Sequence, residues 1–136
     1  MNTLSILYIV IPCYKEQEVL HETASRLQTK MERLISANKI SPDSRVMFVN
    51  DGSTDQTLPI ICELHEKNPL FSGVNLSRNR GYQNALLAGL MTAKERADMV
   101  IFMDADLQDD INAVDAMVDK FYEGCDIVYG VRSSRE

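Results

Sequence analysis

Apolar residues fall along this chain in two alternating patterns. Leu4 to Pro12 is a near-continuous apolar run with Ile6, Ile9, Val10 and Ile11, which fits a strand covered on both faces. From Val19 to Ile35, the residues Val19, Leu20, Ala24, Leu27, Met31, Leu34 and Ile35 recur at three- and four-residue steps, so a helix with one apolar stripe is expected there. Ser41-Pro42-Asp43-Ser44 breaks the pattern, and Arg45 to Asn50 predicts a second strand. Asp51-Gly52-Ser53-Thr54-Asp55 follows as a turn, with Ser, Thr and Asp able to cap the next helix. That helix carries Leu58, Ile61, Cys62 and Leu64 on its apolar side and runs to about Asn68-Pro69. Further along come a strand at Phe71 to Leu76, a polar loop from Ser77 to Asn84 and a helix from Ala85 to Arg96. A strand at Met99 to Met103 is followed by a helix marked by Val114, Met117, Val118 and Phe121, and Asp126 to Tyr129 begins a further strand. Strands alternating with helices at this spacing predict an α/β domain with a mostly parallel sheet, right-handed crossovers and helices on both faces.

Composition narrows the class. A chain of 136 residues with 45% hydrophobic and 25% charged residues is one ordinary globular domain. The net charge of −6 and pI near 4.9 argue against a general nucleic-acid binder, so no nucleic-acid partner is expected. Cys13, Cys62 and Cys125 are odd in number and widely spaced, which indicates neither a disulfide framework nor a zinc site and points to the reducing cytoplasm. The run from Ile6 to Ile11 is too short to span a bilayer, and no basic segment precedes it as in a signal peptide.

The chemistry concentrates at strand ends. The run Val100-Ile-Phe-Met-Asp104-Ala105-Asp106 takes a buried strand directly into two carboxylates one residue apart. In an open α/β sheet, ligands bind outside the carboxyl ends of the strands, so Asp104 and Asp106 stand where a hard cation and its anionic ligand would sit. The loops after the first and second expected strands open on the same edge and add Pro12, Tyr14 and Glu16, then Asn50, Asp51 and Ser53. No G-x-G-x-x-G follows the first strand and no G-x-x-x-x-G-K-[ST] occurs, so both common nucleotide-binding loops are missing. A bound nucleotide would need side chains such as Asp51 for its base and ribose and a metal on the Asp pair for its diphosphate.

Each of these residues also has a plainer reading. Asp51 with Gly52 would serve as a turn and helix cap, Pro12 as a strand end and Glu16 as a favourable charge at a helix N-terminus. His21 and His65 read as solvated helix residues, and nothing marks Cys13 as a nucleophile.

Four ordered segments carry a resemblance that covers nearly the whole chain. Val10-Ile-Pro12-Cys-Tyr14-Lys-Glu16, Val49-Asn-Asp51-Gly-Ser-Thr-Asp55, Leu76-Ser-Arg-Asn79-Arg-Gly81 and Met103-Asp-Ala-Asp-Leu-Gln-Asp109 resemble family 2 glycosyltransferases of the GT-A fold. Ala88-Gly89-Leu90 and Tyr129-Gly-Val-Arg132 add a likeness to the branch that transfers sugars to polyprenyl phosphates, which includes dolichol-phosphate mannosyltransferases and bactoprenol glucosyltransferases. The resemblance implies that residues 1–136 form the nucleotide-sugar-binding, N-terminal part of a truncated GT-A domain. It implies inverting transfer from a nucleotide-sugar donor, UDP-sugar favoured, to a lipid-phosphate or glycan acceptor bound by the longer protein. Pro12, Tyr14 and Glu16 match the loop around the nucleotide, Asp51 the carboxylate at the base, and Asp104, Ala105 and Asp106 the motif that holds Mg²⁺ or Mn²⁺, with Gln108 beside it. Arg132 matches a basic position near donor or acceptor phosphate.

The sequence departs from the family pattern at Asn50, Arg80, Tyr82 and Asp110, where Asp, an apolar residue, His and Pro are common. The catalytic base and acceptor half are expected beyond residue 136, with the longer protein at the cytoplasmic face of a membrane, and an unpaired sheet edge would favour homo-oligomers. Two rivals remain at this point: a non-catalytic nucleotide-binding module, and a receiver-like signalling domain, whose acids should follow the first and third strands rather than the second and fourth.

Overall fold

The computed structural model describes residues 4–106 and 111–124. Four strands, β1 (Leu7–Cys13), β2 (Arg45–Asp51), β3 (Phe71–Leu76) and β4 (Met99–Phe102), alternate with helices α1 (Leu20–Ser36), α2 (Thr57–Lys67), α3 (Tyr82–Ala93) and α4 (Ala113–Tyr122). All strand pairs are parallel and the order across the sheet is β3-β2-β1-β4. The chain therefore steps outward through β2 and β3 on one side of β1 and then places β4 on the other. The strand order reverses between β1 and β4, which is where open α/β sheets form a ligand crevice.

Alternation along β1 explains why the sheet is covered twice. Leu7, Ile9, Ile11 and Cys13 point into a core built with Leu20, Ala24, Leu27, Met31 and Leu34 of α1, Ile61 of α2, and Val114 and Val118 of α4. Tyr8 and Val10 point the other way and pack with Met47, Val49, Ala85 and Ala93, so α3 alone covers that face among the described helices. Gly89 lets α3 lie flat there, because a Cβ at that position would stand 2.4 Å from Val10 Cγ1 and 3.0 Å from Val49 Cγ2.

Small differences from the expected boundaries have local causes. β1 begins at Leu7 rather than Leu4, where pairing with β2 and β4 starts. Helix α3 begins at Tyr82 rather than Ala85: polar Gln83 and Asn84 read as loop, yet Gly81, with φ of 94°, makes the turn into the helix one residue before Tyr82. The strand expected at Asp126 to Tyr129 lies outside the described residues. Among the described residues, no helix is long and apolar enough to cross a membrane.

Candidate donor-binding site

Three loops leave the carboxyl ends of β1, β2 and β4 on one edge of the sheet, and specific hydrogen bonds join them. The β1 loop carries Lys15 at φ 55°, a left-handed conformation for a residue with a side chain, held by Lys15 N–H donating to Ser53 Oγ (2.9 Å). Glu16 N–H donates to Thr57 Oγ1 (2.9 Å) and Gln56 N–H to Gln17 Oε1 (2.9 Å), so the β1 and β2 loops are laced together backbone to side chain. Asp55 Oδ1 accepts from Thr57 N–H (2.9 Å) at the entry to α2.

The β2 end is tied to the loop before α3. Asp51 is only 3% exposed, and its Oδ1 accepts the Arg80 N–H (2.7 Å) while Oδ2 accepts the Gly81 N–H (3.1 Å). Asn79 Oδ1 also accepts from Gly81 N–H at 3.1 Å. Gly52, at φ 69°, lies directly beneath this loop; a Cβ there would fall 2.2 Å from Asn79 N and 2.3 Å from Arg78 C. The motif's glycine is thus required by close backbone approach as well as by the turn. Asn50, the departure from the family's acid, is buried with Nδ2 donating to Asn75 Oδ1 (2.9 Å) on β3 and Oδ1 accepting from Ser53 N–H (3.3 Å). An amide supplies both a donor and an acceptor there, which a carboxylate would not.

Past β4, Met103 N–H still donates to Val10 O (3.1 Å), and the chain then turns through Asp104, Ala105 and Asp106. Asp104 is half-buried, Ala105 is buried and Asp106 is exposed. Buried Thr23 of α1 donates its hydroxyl to the Ala105 carbonyl at 2.5 Å, and Tyr82 at the start of α3 donates to Asp104 Oδ1 at 3.3 Å.

Glu16 reports on the field in this crevice. Its pKa is raised first by burial and then by the negative charges of Asp106, Asp104 and Asp55, so carboxylates of all three loops share one region. Cys13, at the end of β1, is buried and donates weakly to Ile11 O at 3.5 Å; burial, with Glu16 adding to it, pushes its thiol far up and keeps it from acting as a thiolate.

The expected site residues are thus distributed unevenly. Glu16, Asp104 and Asp106 share one electrostatic region at the strand ends, with buried Ala105 as the pivot of the turn. Tyr14 is 43% exposed, with Lys15 Nζ 5.3 Å from its ring centroid. Pro12 lies within β1 and is buried. Asp51 is buried at the end of β2 with both oxygens turned toward backbone N–H groups. Gln108 and Arg132 lie outside the described residues. Sequence reasoning overlooked Thr23 and Thr57, because lone threonines on helices carry no motif, and it marked Tyr82 only as a departure from the family pattern; their contacts arise only when the loops meet. Among the described residues, no group of three or more His, Cys, Asp or Glu side chains is arranged to hold a metal ion.

Comparison with known proteins agrees with this architecture. The profile of Glycosyl transferase family 2 matches residues 8–136. An uncharacterized glycosyltransferase of Bacillus subtilis (strain 168), YkoT, is 47% identical over 131 residues, covering 96% of this chain and 39% of that protein. The bactoprenol glucosyl transferase of Shigella phage SfV is 34% identical over 131 residues, covering 93% of this chain and 39% of its own length. The chain thus spans about two-fifths of the curated relatives it matches. Among solved structures, the mannosyltransferase PcManGT from Pyrobaculum calidifontis, in complex with GDP-Man and Mn²⁺, superposes with a TM-score of 0.59 at 20% identity, covering 76% of this chain and 28% of that one. TarS residues 1–349 of S. aureus gives a TM-score of 0.58 at 22% identity, covering 86% and 33%. At such identities the two superpositions speak for the fold, and they agree with the GT-A architecture expected from the strand and loop order. Strand order, the acidic turn after β4 and the profile match converge: the chain belongs to glycosyl transferase family 2.

Proposed function

We propose that this chain is the donor-binding part of an inverting, metal-dependent glycosyltransferase. The donor would be a nucleotide-sugar, UDP-sugar favoured, and the acceptor a polyprenyl phosphate engaged by the longer protein. The observation that carries this reading is the Asp104–Asp106 turn at the β1/β4 switch point, facing a Glu16 whose carboxylate is already disfavoured by burial and by those two acids. A crevice with this much negative potential suits a multivalent cation, and hard carboxylate oxygens suit Mg²⁺ or Mn²⁺. Asp104 and Asp106 would hold the ion. When bound, it would supply Lewis-acid stabilisation to the departing diphosphate. The neighbour solved in complex with GDP-Man and Mn²⁺ supports a divalent metal, and the bactoprenol glucosyl transferases among the relatives support the acceptor class.

The remaining roles belong to the chain's own side chains. Tyr14 and Glu16 would flank the nucleotide on the β1 side. Asp51 would form the floor beneath its base by holding residues 80–81 in place, and Gln108 and Arg132 would lie near the phosphates. Inversion requires the acceptor oxygen to attack the anomeric carbon opposite the breaking sugar–phosphate bond. A phosphate monoester, with a second pKa of about 6, is largely dianionic at neutral pH, so such an acceptor needs little help from a carboxylate base. An alcohol acceptor would need one, from a region corresponding to the part of the relatives that this chain does not span.

Calorimetric titration with UDP and with GDP, each with Mn²⁺ and with chelator, tests the reading. Metal-dependent binding of one nucleotide that disappears in the Asp104→Asn, Asp106→Asn double variant is expected. Binding that survives chelator and the double variant would sink it.

A further inference from the structure

We propose that Thr23 and Tyr82 are positioning residues that hold the Asp104–Asp106 turn from opposite faces of the sheet. This rests on the donor-site reading above. β4 pairs only with β1 among the described strands, and the last backbone bond to the sheet before the turn is Met103 N–H to Val10 O at 3.1 Å. Beyond it, no further backbone bond joins the acidic turn to the sheet among the described residues, and like charges at Asp104 and Asp106 favour splaying it apart. Two hydroxyls supply what the sheet does not.

On the α1 face, Thr23 is 2% exposed and Ala105 is 3% exposed, and the 2.5 Å bond from Thr23 Oγ1 anchors the peptide between the two acids. Threonine suits this task because its β-branched side chain has few χ1 options, so the hydroxyl is placed by the helix itself. On the α3 face, the Tyr82 hydroxyl donates to Asp104 Oδ1 at 3.3 Å. Tyr82 is placed in turn by the residues just before it, since Asp51 clasps the backbone of Arg80 and Gly81. One helix thus fixes the turn's backbone, and the other orients a carboxylate within it. Donors of this kind, one step removed from a metal, set the orientation and basicity of its ligands.

Purified chain and the variants Thr23→Val, Thr23→Ser and Tyr82→Phe would be compared by amide hydrogen exchange at residues 104–106 without metal. Mn²⁺ affinity, with and without UDP or GDP, would be measured on the same proteins. Thr23→Val should speed exchange in the turn and weaken Mn²⁺ binding about tenfold, while Thr23→Ser restores both because it keeps the hydroxyl. Tyr82→Phe should weaken Mn²⁺ binding with unfolding midpoint unchanged, since Tyr82 is half-exposed. This surface variant keeps the test decisive should Thr23→Val fail to fold. Parental exchange and parental Mn²⁺ affinity in both Thr23→Val and Tyr82→Phe would overturn the inference alone. Failure of the unmodified chain to bind Mn²⁺ with either nucleotide would overturn the donor-site reading, while the exchange data would still decide whether Thr23 holds the turn.

Discussion

Replacing Asp51 separates two roles that the family motif leaves merged. In the structure its Oδ1 and Oδ2 accept the Arg80 and Gly81 N–H groups at 2.7 and 3.1 Å, and the residue is 3% exposed. Hydrogen bonds to a charged acceptor contribute about 1.5–3 kcal/mol each, and a buried donor left without a partner costs about 1–3 kcal/mol. Asp51→Asn keeps the volume and one oxygen. That oxygen can face Arg80 N–H, the shorter bond, while the new Nδ2 group meets Gly81 N–H donor to donor and must turn aside, leaving Gly81 N–H to Asn79 Oδ1 at 3.1 Å. The expected loss for Asp51→Asn is therefore about 1–2 kcal/mol. Asp51→Ala removes both acceptors and leaves the Arg80 N–H alone, for a loss of about 3 kcal/mol. Urea unfolding followed by circular dichroism, with m unchanged, reads the difference directly. Stability within about 0.5 kcal/mol of the parent in both variants, the range of an ordinary surface substitution, would refute the clasp. If nucleotide binding were then lost as well, Asp51 would be acting at the ligand rather than on the backbone.

Other consequences are equally direct. Gly89→Ala gains about 1 kcal/mol of helix propensity, but its Cβ would meet the stiff side chains of Val10 and Val49 at 2.4 and 3.0 Å, and overpacking costs about 1–3 kcal/mol. Net destabilisation is expected in urea, and a more stable variant would show that α3 lifts off the sheet at little cost. Glu16 has a raised folded-state pKa from burial and from Asp106, Asp104 and Asp55, so its ionised form is disfavoured in the folded chain. Stability should fall as pH rises from the unfolded value of about 4.3 through that raised value, by a small amount because the side chain is half-exposed. Glu16→Gln should accordingly be more stable than the parent at pH 7 and equal to it near pH 3, measured by thermal unfolding; an equal gap at both pH values would contradict this. Lys30 Nζ, on a side chain 10% exposed, meets Asp115 at 2.5 Å and Asn112 at 3.2 Å, joining α1 to α4, whereas Asp115 is 46% exposed. Lys30→Met should cost less than about 1 kcal/mol, because Asp115 can turn to water, and Asp115→Ala about 1–2 kcal/mol, because it leaves a largely buried ammonium with Asn112 in place of a carboxylate; the reverse order in urea would refute the assignment.

Most of the architecture was legible because hydrophobic period is a local property. The continuous run of β1 and the three- and four-residue steps of α1 announce a doubly covered strand and a one-faced helix without reference to anything distant. The start of α3 was not legible, since Tyr82, Gln83 and Asn84 look like loop until the backbone of Gly81 and the Asp51 clasp are in view. Neither was the part played by Asn50, a departure from the family pattern that is accounted for by its bond to Asn75 on the adjacent strand.

The sequence by itself determined an alternating α/β chain with polar motifs after its strands, and an acidic pair at the end of an apolar one, although among the described residues β4 buries only Ile101 and leaves Phe102 40% exposed, because β4 pairs on one side only. Periodicity and residue type suffice for that, because both act over a few residues. Only the tertiary structure decided that β4 lies beside β1 and not beside β3, which sets the acidic turn against Glu16 and between Thr23 and Tyr82. Contacts between residues as far apart as Thr23 and Ala105, or Asp51 and Arg80, leave no local signature in a sequence. They exist because the crossovers bring separate strand ends to one edge, where each buried polar group must find its partner.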